Sequence, residues 1–259
     1  MDKEAKKMDK DISGFDPVNM DNRLQDAMKG VLSTDLIPWA DTVMAHTKML
    51  MGTVVGYKEL MMMYACALKT MQAKFDVLNT EFKIRYQRNP IASVSTRLKR
   101  TASITNKLIR LNLPFTLESI EEHINDAAGI RVICCYIDDI YTIADALLLQ
   151  DDVTLVARKD YIAHPKPNGY RSLHLIVSVP VYFADCKKEM KVEVQIRTIA
   201  MDFWASLEHR MRYKKNLCEE LSQMLSAELK DCAEASASLD RRMGKIKDTI
   251  EDHMEEEHS

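Results

Sequence analysis

One stretch of this chain fixes its neighbourhood more tightly than any other. From Lys191 to Thr198 the residues alternate without a break, with Val192, Val194 and Ile196 on one side and Glu193, Gln195 and Arg197 on the other. A period of two is the signature of a strand with one buried face. Such a strand needs a sheet around it and something to cover its apolar side. Gly129 to Ile137, Val153 to Ala157 and Leu173 to Phe183 supply further short apolar runs. Asp138 to Gln150 lies between them as a helix with Ile140, Ile143, Ala144 and Leu147 on one face, and a second helix is expected from Ile199 to Tyr213. The expected fold is α+β, a mixed sheet of about five strands flanked by helices.

Outside that region the pattern is helical. Seven Gly and seven Pro are few for 259 residues, which favours long helices over a loop-rich fold. Trp39 to Tyr86 contains no Pro and reads as one or two helices, with Met61, Met62 and Met63 as packing residues. After the break at Asn89-Pro90, a helix is expected from Ser95 to Leu111, then a short one from Leu117 to Asn125 capped near Thr116. Residues 1–38 are polar and interrupted by Gly14, Pro17 and Gly30, and suggest a mobile or loosely helical extension. The expected division is therefore 1–38 extension, 39–88 helices, 89–215 catalytic domain and 216–259 C-terminal helix. In that last segment Leu225, Leu229, Cys232, Ser236, Leu239, Met243, Ile246 and Ile250 keep the 3.5-residue period of a helix–helix seam. The seam packs either on its own domain or on another subunit.

A net charge of -3 gives no general attraction to nucleic acid, so an anion site has to be local. Between Arg97 and Leu117 stand Arg97, Lys99, Arg100, Lys107 and Arg110 with no acidic residue, a cluster suited to a polyphosphate or to a solvated helix face. The six cysteines form no C-x-x-C pair, which points to free thiols in a reducing cytoplasm. No signal peptide is visible, and the longest apolar run, Leu60 to Leu68, is too short to span a membrane.

Three segments carry candidate chemistry. Asp126 enters the first apolar run just ahead of Gly129 and Arg131, where a carboxylate can hold Mg²⁺ beside a phosphate-binding guanidinium. The loop YIAHPKPNGYRS, residues 161–172, presents Lys166, Tyr170 and Arg171 on a backbone stiffened by two prolines and turned by Asn168-Gly169. It suits either a stacked base with its phosphates or a plain turn between strands. Glu193, Gln195 and Arg197 form either a solvated strand face or a rigid set able to activate a hydroxyl.

In order along the chain, GIRVICCYIDD, KDYIAHPKPNGYRSLH, VEVQIRT and AMDFWASLEHRMRYK resemble the synthetase domain of the RelA/SpoT family. The resemblance covers roughly residues 90–215. No hydrolase domain or long regulatory tail lies within the sequence, and the C-terminal helix is similar to that of the small alarmone synthetases. The resemblance implies a nucleotidyltransferase-like synthetase fold and a GTP pyrophosphokinase of the stringent response. Such an enzyme transfers the β,γ-diphosphate of ATP to the 3′-hydroxyl of GDP or GTP. By residue, it implies ATP at Arg97, Lys99, Lys107 and Arg131. It implies the acceptor nucleotide at Lys166, Asn168, Tyr170, His174 and Gln195, and Mg²⁺ at Asp126 and Glu193. Glu193 and Asp126 would be the catalytic pair, and a homotetramer the expected assembly. Asp202 stands where small synthetases commonly have Asn, and Leu173 where an aromatic is common, changes expected to bear on acceptor preference. Ala92-Ser93-Val94 replaces an aromatic expected at an interface alarmone site that some small synthetases carry. Two other readings compete: transfer to an adenine nucleotide or a tRNA 3′ end, and a catalytically silent RNA-binding or assembly module. Arg210, Arg212, Lys214 and Lys215 would serve RNA contact.

Overall fold

The computed structural model describes residues 37–212 and 219–257. The expected extension (1–36 of it) and Lys214 and Lys215 of the basic patch lie outside them. The chain divides at Val55/Gly56, and the larger part, from Gly56 on, holds the whole sheet. The order of elements is helix α1 (Ile37–Arg85), β1 (Ile91–Leu98), α2 (Thr101–Arg110), α3 (Leu117–His123), β2 (Ala128–Cys134), α4 (Ile137–Leu148), β3 (Thr154–Asp160), β4 (Leu173–Tyr182), β5 (Lys187–Thr198), α5 (Ile199–Arg212) and α6 (Glu219–Glu257).

The strands form one mixed sheet in the order β1-β2-β5-β4-β3. β5 runs parallel to β2 and antiparallel to β4, while β1 and β3 close the edges antiparallel. The alternation read in the sequence is real: Val192, Val194 and Ile196 are fully buried, in one apolar core with Ile130, Val132, Leu175 and Val177. Leu60, Tyr64, Met71 and Phe75 of α1, Ile104 and Leu108 of α2, and Ile140, Ile143 and Leu147 of α4 complete that core. Burying each such side chain contributes about 1.5–3 kcal/mol relative to leaving it exposed.

The expected helix from Ser95 to Leu111 is corrected. Its first residues belong to β1, whose Ser93 to Leu98 pair with Ala128 to Ile133 of β2, and the helix starts only at Thr101. β1 is mostly exposed, so it lacks the apolar alternation that reveals β5. Thr116 caps α3 as expected, its hydroxyl accepting from the Ser119 N–H at 3.2 Å.

α6 packs back on α5 through a line other than the expected seam. Ala233, Ala237 and Asp240 are buried. The Trp204 Nε1–H donates to the Leu229 carbonyl at 2.8 Å, and Ser236 donates to the Ala200 carbonyl at 3.0 Å. Of the seam, Leu225, Cys232, Leu239, Met243, Ile246 and Ile250 remain exposed, and only Leu229 and Ser236 turn inward. Asp240 is 7% exposed and accepts from the Thr198 hydroxyl. Burial raises its pKa against the opposing Thr198 hydrogen bond and Arg241 charge. The folded chain thus favours the protonated acid, and stability falls as pH rises through the folded pKa. Asp240→Asn should therefore raise Tm at pH 8, by about 2–4 °C per kcal/mol recovered. The gain should vanish as pH falls toward 3.8, the ordinary aspartate value. Melting curves across pH check this, and an equal or lower Tm at pH 8 would refute it.

Candidate active site

The polar face of the sheet gathers residues from all five strands. In register, Arg131 of β2 lies beside Gln195 of β5, and His174 of β4 lies on the other side of Gln195. Two cavities open here. The first, about 200 Å³, is walled by Arg97, Lys99, Asp126, Arg131, Glu193 and Gln195, with Ser95, Gly129 and Ile130. The second, about 290 Å³, is walled by Lys107, Lys159, Tyr161, Lys166, His174, Asp126 and Glu193, with Asn125, Ala157 and Ile176. Asp126 and Glu193 belong to both.

Asp126 sits just before β2 and takes two cations, Lys107 on Oδ1 at 2.6 Å and Lys99 on Oδ2. Burial pushes its carboxyl pKa up, but the two lysine hydrogen bonds outweigh that and hold it below the usual range. Glu193 follows the same logic. Burial raises it, the hydrogen bonds from His174 and Gln195 lower it further, and it remains an ionised carboxylate at neutral pH.

Glu193 closes a ring of five side chains. Arg197 Nη2 donates to the Tyr170 hydroxyl at 2.6 Å and to Gln195 Oε1 at 3.0 Å. The Tyr170 hydroxyl meets His174 Nε2 at 2.8 Å, and His174 Nδ1 lies 3.3 Å from Glu193 Oε1, so that with the imidazole proton on Nδ1 the hydroxyl donates to Nε2. Gln195 Nε2 donates to the other oxygen, Oε2, at 2.9 Å. Both carboxylate oxygens are thereby aimed by partners fixed to the sheet.

The loop between β3 and β4 turns where the sequence placed its Asn-Gly pair. Gly169 has φ +86 and its N–H donates to the Lys166 carbonyl at 2.8 Å. The Lys166 ammonium lies over the Tyr161 and Tyr170 rings, 4.4 and 4.8 Å from their centroids. α6 holds this loop from behind. Arg171 Nη1 donates to the Ala233 carbonyl at 3.4 Å, and Nη2 meets Glu234 at 3.2 Å.

Several residues stand elsewhere than expected. Lys107 walls the second cavity rather than joining Arg97, Lys99 and Arg131, while Gln195 walls the first rather than the second. Asn168 is in neither wall; its amide nitrogen donates to Glu208 at 3.3 Å and its oxygen accepts from the Tyr170 N–H. Tyr170 is also in neither wall and acts through His174, Lys166 and Arg197. Tyr161 and Lys159 were missed, although both lie in or beside the KDYIAHPKPNGYRS stretch. Arg197, only 5% exposed, was seen as a strand-face residue and not as the hub it is.

A sequence profile described as "Region found in RelA / SpoT proteins" matches residues 96–217. GTP pyrophosphokinase YwaC of Bacillus subtilis (strain 168) is 41% identical over 211 residues, 82% of this chain and 100% of that protein. The chain belongs to the RelA/SpoT family. It stands among that family's small alarmone synthetases. The crystal structure of small alarmone synthetase 2 from Bacillus subtilis aligns with TM-score 0.66 at 42% identity, covering 74% of this chain and 98% of that one. Small alarmone synthetase 1 from the same organism, bound to its product pppGpp, aligns with TM-score 0.68 at 34% identity, covering 76% and 98%. The five-stranded mixed sheet with flanking helices is thus the fold of this RelA/SpoT branch. Among the described residues, no helix is long and apolar enough to cross a membrane.

Proposed function

We propose that this chain moves the β,γ-diphosphate of ATP onto the 3′-hydroxyl of GDP or GTP, releasing AMP and yielding ppGpp or pppGpp. One observation carries the reading: two cation-rich cavities meet at a wall made of Asp126 and Glu193. Transfer between two nucleotides needs a donor and an acceptor on either side of one acidic pair. The pyrophosphokinase relative and the pppGpp-bound structure support the substrate class.

ATP belongs in the first cavity, with Arg97 and Arg131 flanking it and Lys99 near its phosphates. The acceptor belongs in the second, with Lys159 and Lys166 for its phosphates and Tyr161 and His174, backed by Tyr170, for its base. Lys107 and Lys99, both on Asp126, bring positive charge to the diphosphate in transit. Glu193 takes the proton of the 3′-hydroxyl. The O3′ oxygen bonds to the β-phosphorus while the bond from that phosphorus to the α–β bridging oxygen breaks, and the electron pair leaves on AMP. Little covalent work falls to the protein, so positioning and charge neutralisation dominate.

A divalent cation of the Mg²⁺ type fits the donor set. Asp126 and Glu193 offer hard oxygens, and Mg²⁺ commonly takes one or two carboxylates with phosphates and water completing the shell. No group of three or more His, Cys, Asp or Glu assembles for a metal among the described residues, which suits an ion shared with the nucleotide. Bound there, it would draw charge from the phosphate oxygens.

The exposed apolar line of α6 supports a homo-oligomer, with the tetramer as the favoured state, readable as the light-scattering mass of the purified chain. The free cysteines among the described residues suit a cytoplasmic location.

The deciding assay supplies Mg²⁺, ATP labelled on its γ-phosphate and, separately, GMP, GDP, GTP, ADP or tRNA. Label should enter a guanosine 3′-diphosphate while AMP leaves unlabelled. Label in ADP or tRNA alone would name another acceptor and overturn the reading. RNA binding with no transfer would make the chain a silent module and do the same.

A further inference from the structure

Three guanidiniums crowd the polar face of the sheet, and a carboxylate lies between two of them. Arg131 walls the first cavity, while Arg197 walls neither and holds both Gln195 of the first wall and Tyr170, whose hydroxyl meets His174 of the second. Burial and the neighbouring Arg197 and Arg97 charges all pull the Arg131 pKa down, while Asp202 opposes them. Asp202 stands in the first turn of α5, directly after β5, and its Oδ1 is 3.3 Å from Arg131 Nη1 and 3.2 Å from Arg197 Nη1. The Arg131 Nε is buried without a hydrogen-bond partner among the described residues, and Asp202 pairs with this side chain at Nη1.

We propose that Asp202 is a positioning residue for both nucleotides, one carboxylate oxygen tying the donor-side Arg131 to the acceptor-side Arg197. The inference rests on the assignment of donor and acceptor to the two cavities. Geometry makes the tie two-sided. Arg197 has no slack, because its Nε also donates to Ser172 Oγ at 3.4 Å and its Cζ lies 5.1 Å from the Tyr170 ring centroid. If the carboxylate lost its charge, two like charges would face each other across a half-buried gap. Arg131 would swing toward solvent, away from the donor cavity. Arg197 would strain the hydroxyl and amide contacts that aim Tyr170, His174 and Gln195. An amide at this position keeps the shape and one acceptor atom, yet cannot neutralise either arginine.

The test compares wild-type, Asp202→Asn and Asp202→Glu proteins. Equilibrium binding of a non-hydrolysable ATP analogue and of GDP is measured separately, alongside steady-state kinetics. Asp202→Asn should weaken both affinities, each by about five- to twentyfold, with any loss of kcat smaller than either loss of affinity. Asp202→Glu, which restores the charge, should return both to within about threefold. Weakening of only one nucleotide, loss of kcat with both affinities intact, or equal damage from Glu and Asn would each overturn the proposal. Should Asp202→Asn not fold, Asp202→Ser carries the same expectations. A wild-type protein that binds both nucleotides but transfers nothing would refute the proposed function, while the binding comparison still decides the role of Asp202.

Discussion

Glu193→Gln should lower turnover by about 10²–10⁴-fold, the usual contribution of a general base, while the binding of each nucleotide stays near that of the wild type. The glutamine is nearly isosteric, and the surrounding ring can absorb it. Its oxygen can face Gln195 Nε2, and its amide nitrogen can face His174 Nδ1 if the imidazole proton moves to Nε2. What it cannot supply is a carboxylate held ionised by two hydrogen-bond donors. Single-turnover rates with saturating ATP and GDP, beside binding isotherms for each, make the check. Transfer within about tenfold of wild type would remove Glu193 from the reaction, and a collapse of binding would make it a structural residue instead.

Gly169→Ala should raise the KM for the acceptor nucleotide by about ten- to thirtyfold and leave ATP affinity unchanged. Two costs add. At φ +86 any L-residue is strained, by about 1–2 kcal/mol. An added Cβ would also stand 2.5 Å from Ala233 Cβ, a short methyl on a helix that cannot swing away. The loop must therefore lift, and Tyr170 and Arg171 go with it. Ala233→Gly removes the opposing methyl at a helix cost of about 1 kcal/mol. The double variant should thus recover part of the acceptor affinity despite carrying two substitutions. Steady-state kinetics with each nucleotide varied in turn decide it. An unchanged acceptor KM, or an equal loss for ATP, would show that the loop does not seat the acceptor.

The legible parts of this molecule are those in which chemistry and periodicity coincide. β5 shows itself because its buried and polar sides alternate, and Glu193 and Gln195 come with it. The Asn168-Gly169 turn is equally plain, since few residues take its backbone shape. β1 is hidden because what makes it a strand is pairing with distant residues, from Leu98 with Ala128 to Ile91 with Cys134, not its own pattern. Which lysine faces which cavity depends on how α2 leans on the sheet, so no pattern in the sequence shows that Lys107 walls one cavity and Lys99 the other. α6 misleads in the opposite sense. Its large apolar residues advertise the exposed line, while the line that grips α5 is built from Ala233, Ala237 and Asp240, too small or too polar to register. Arg197 is legible as a strand residue, but its burial is a property of Ser172, Tyr170 and Asp202 closing around it.

The seat that α6 gives the loop separates two boundaries that are easily taken for one. The region shared across the wider family ends at residue 217, and every wall of both cavities lies before it. The support under Gly169 and Arg171 comes from Ala233 and Glu234, beyond that limit. A fragment trimmed to the shared region would keep each proposed reactive group and surrender the backstop behind the loop. The smallest competent version of this enzyme is longer than its recognisable core.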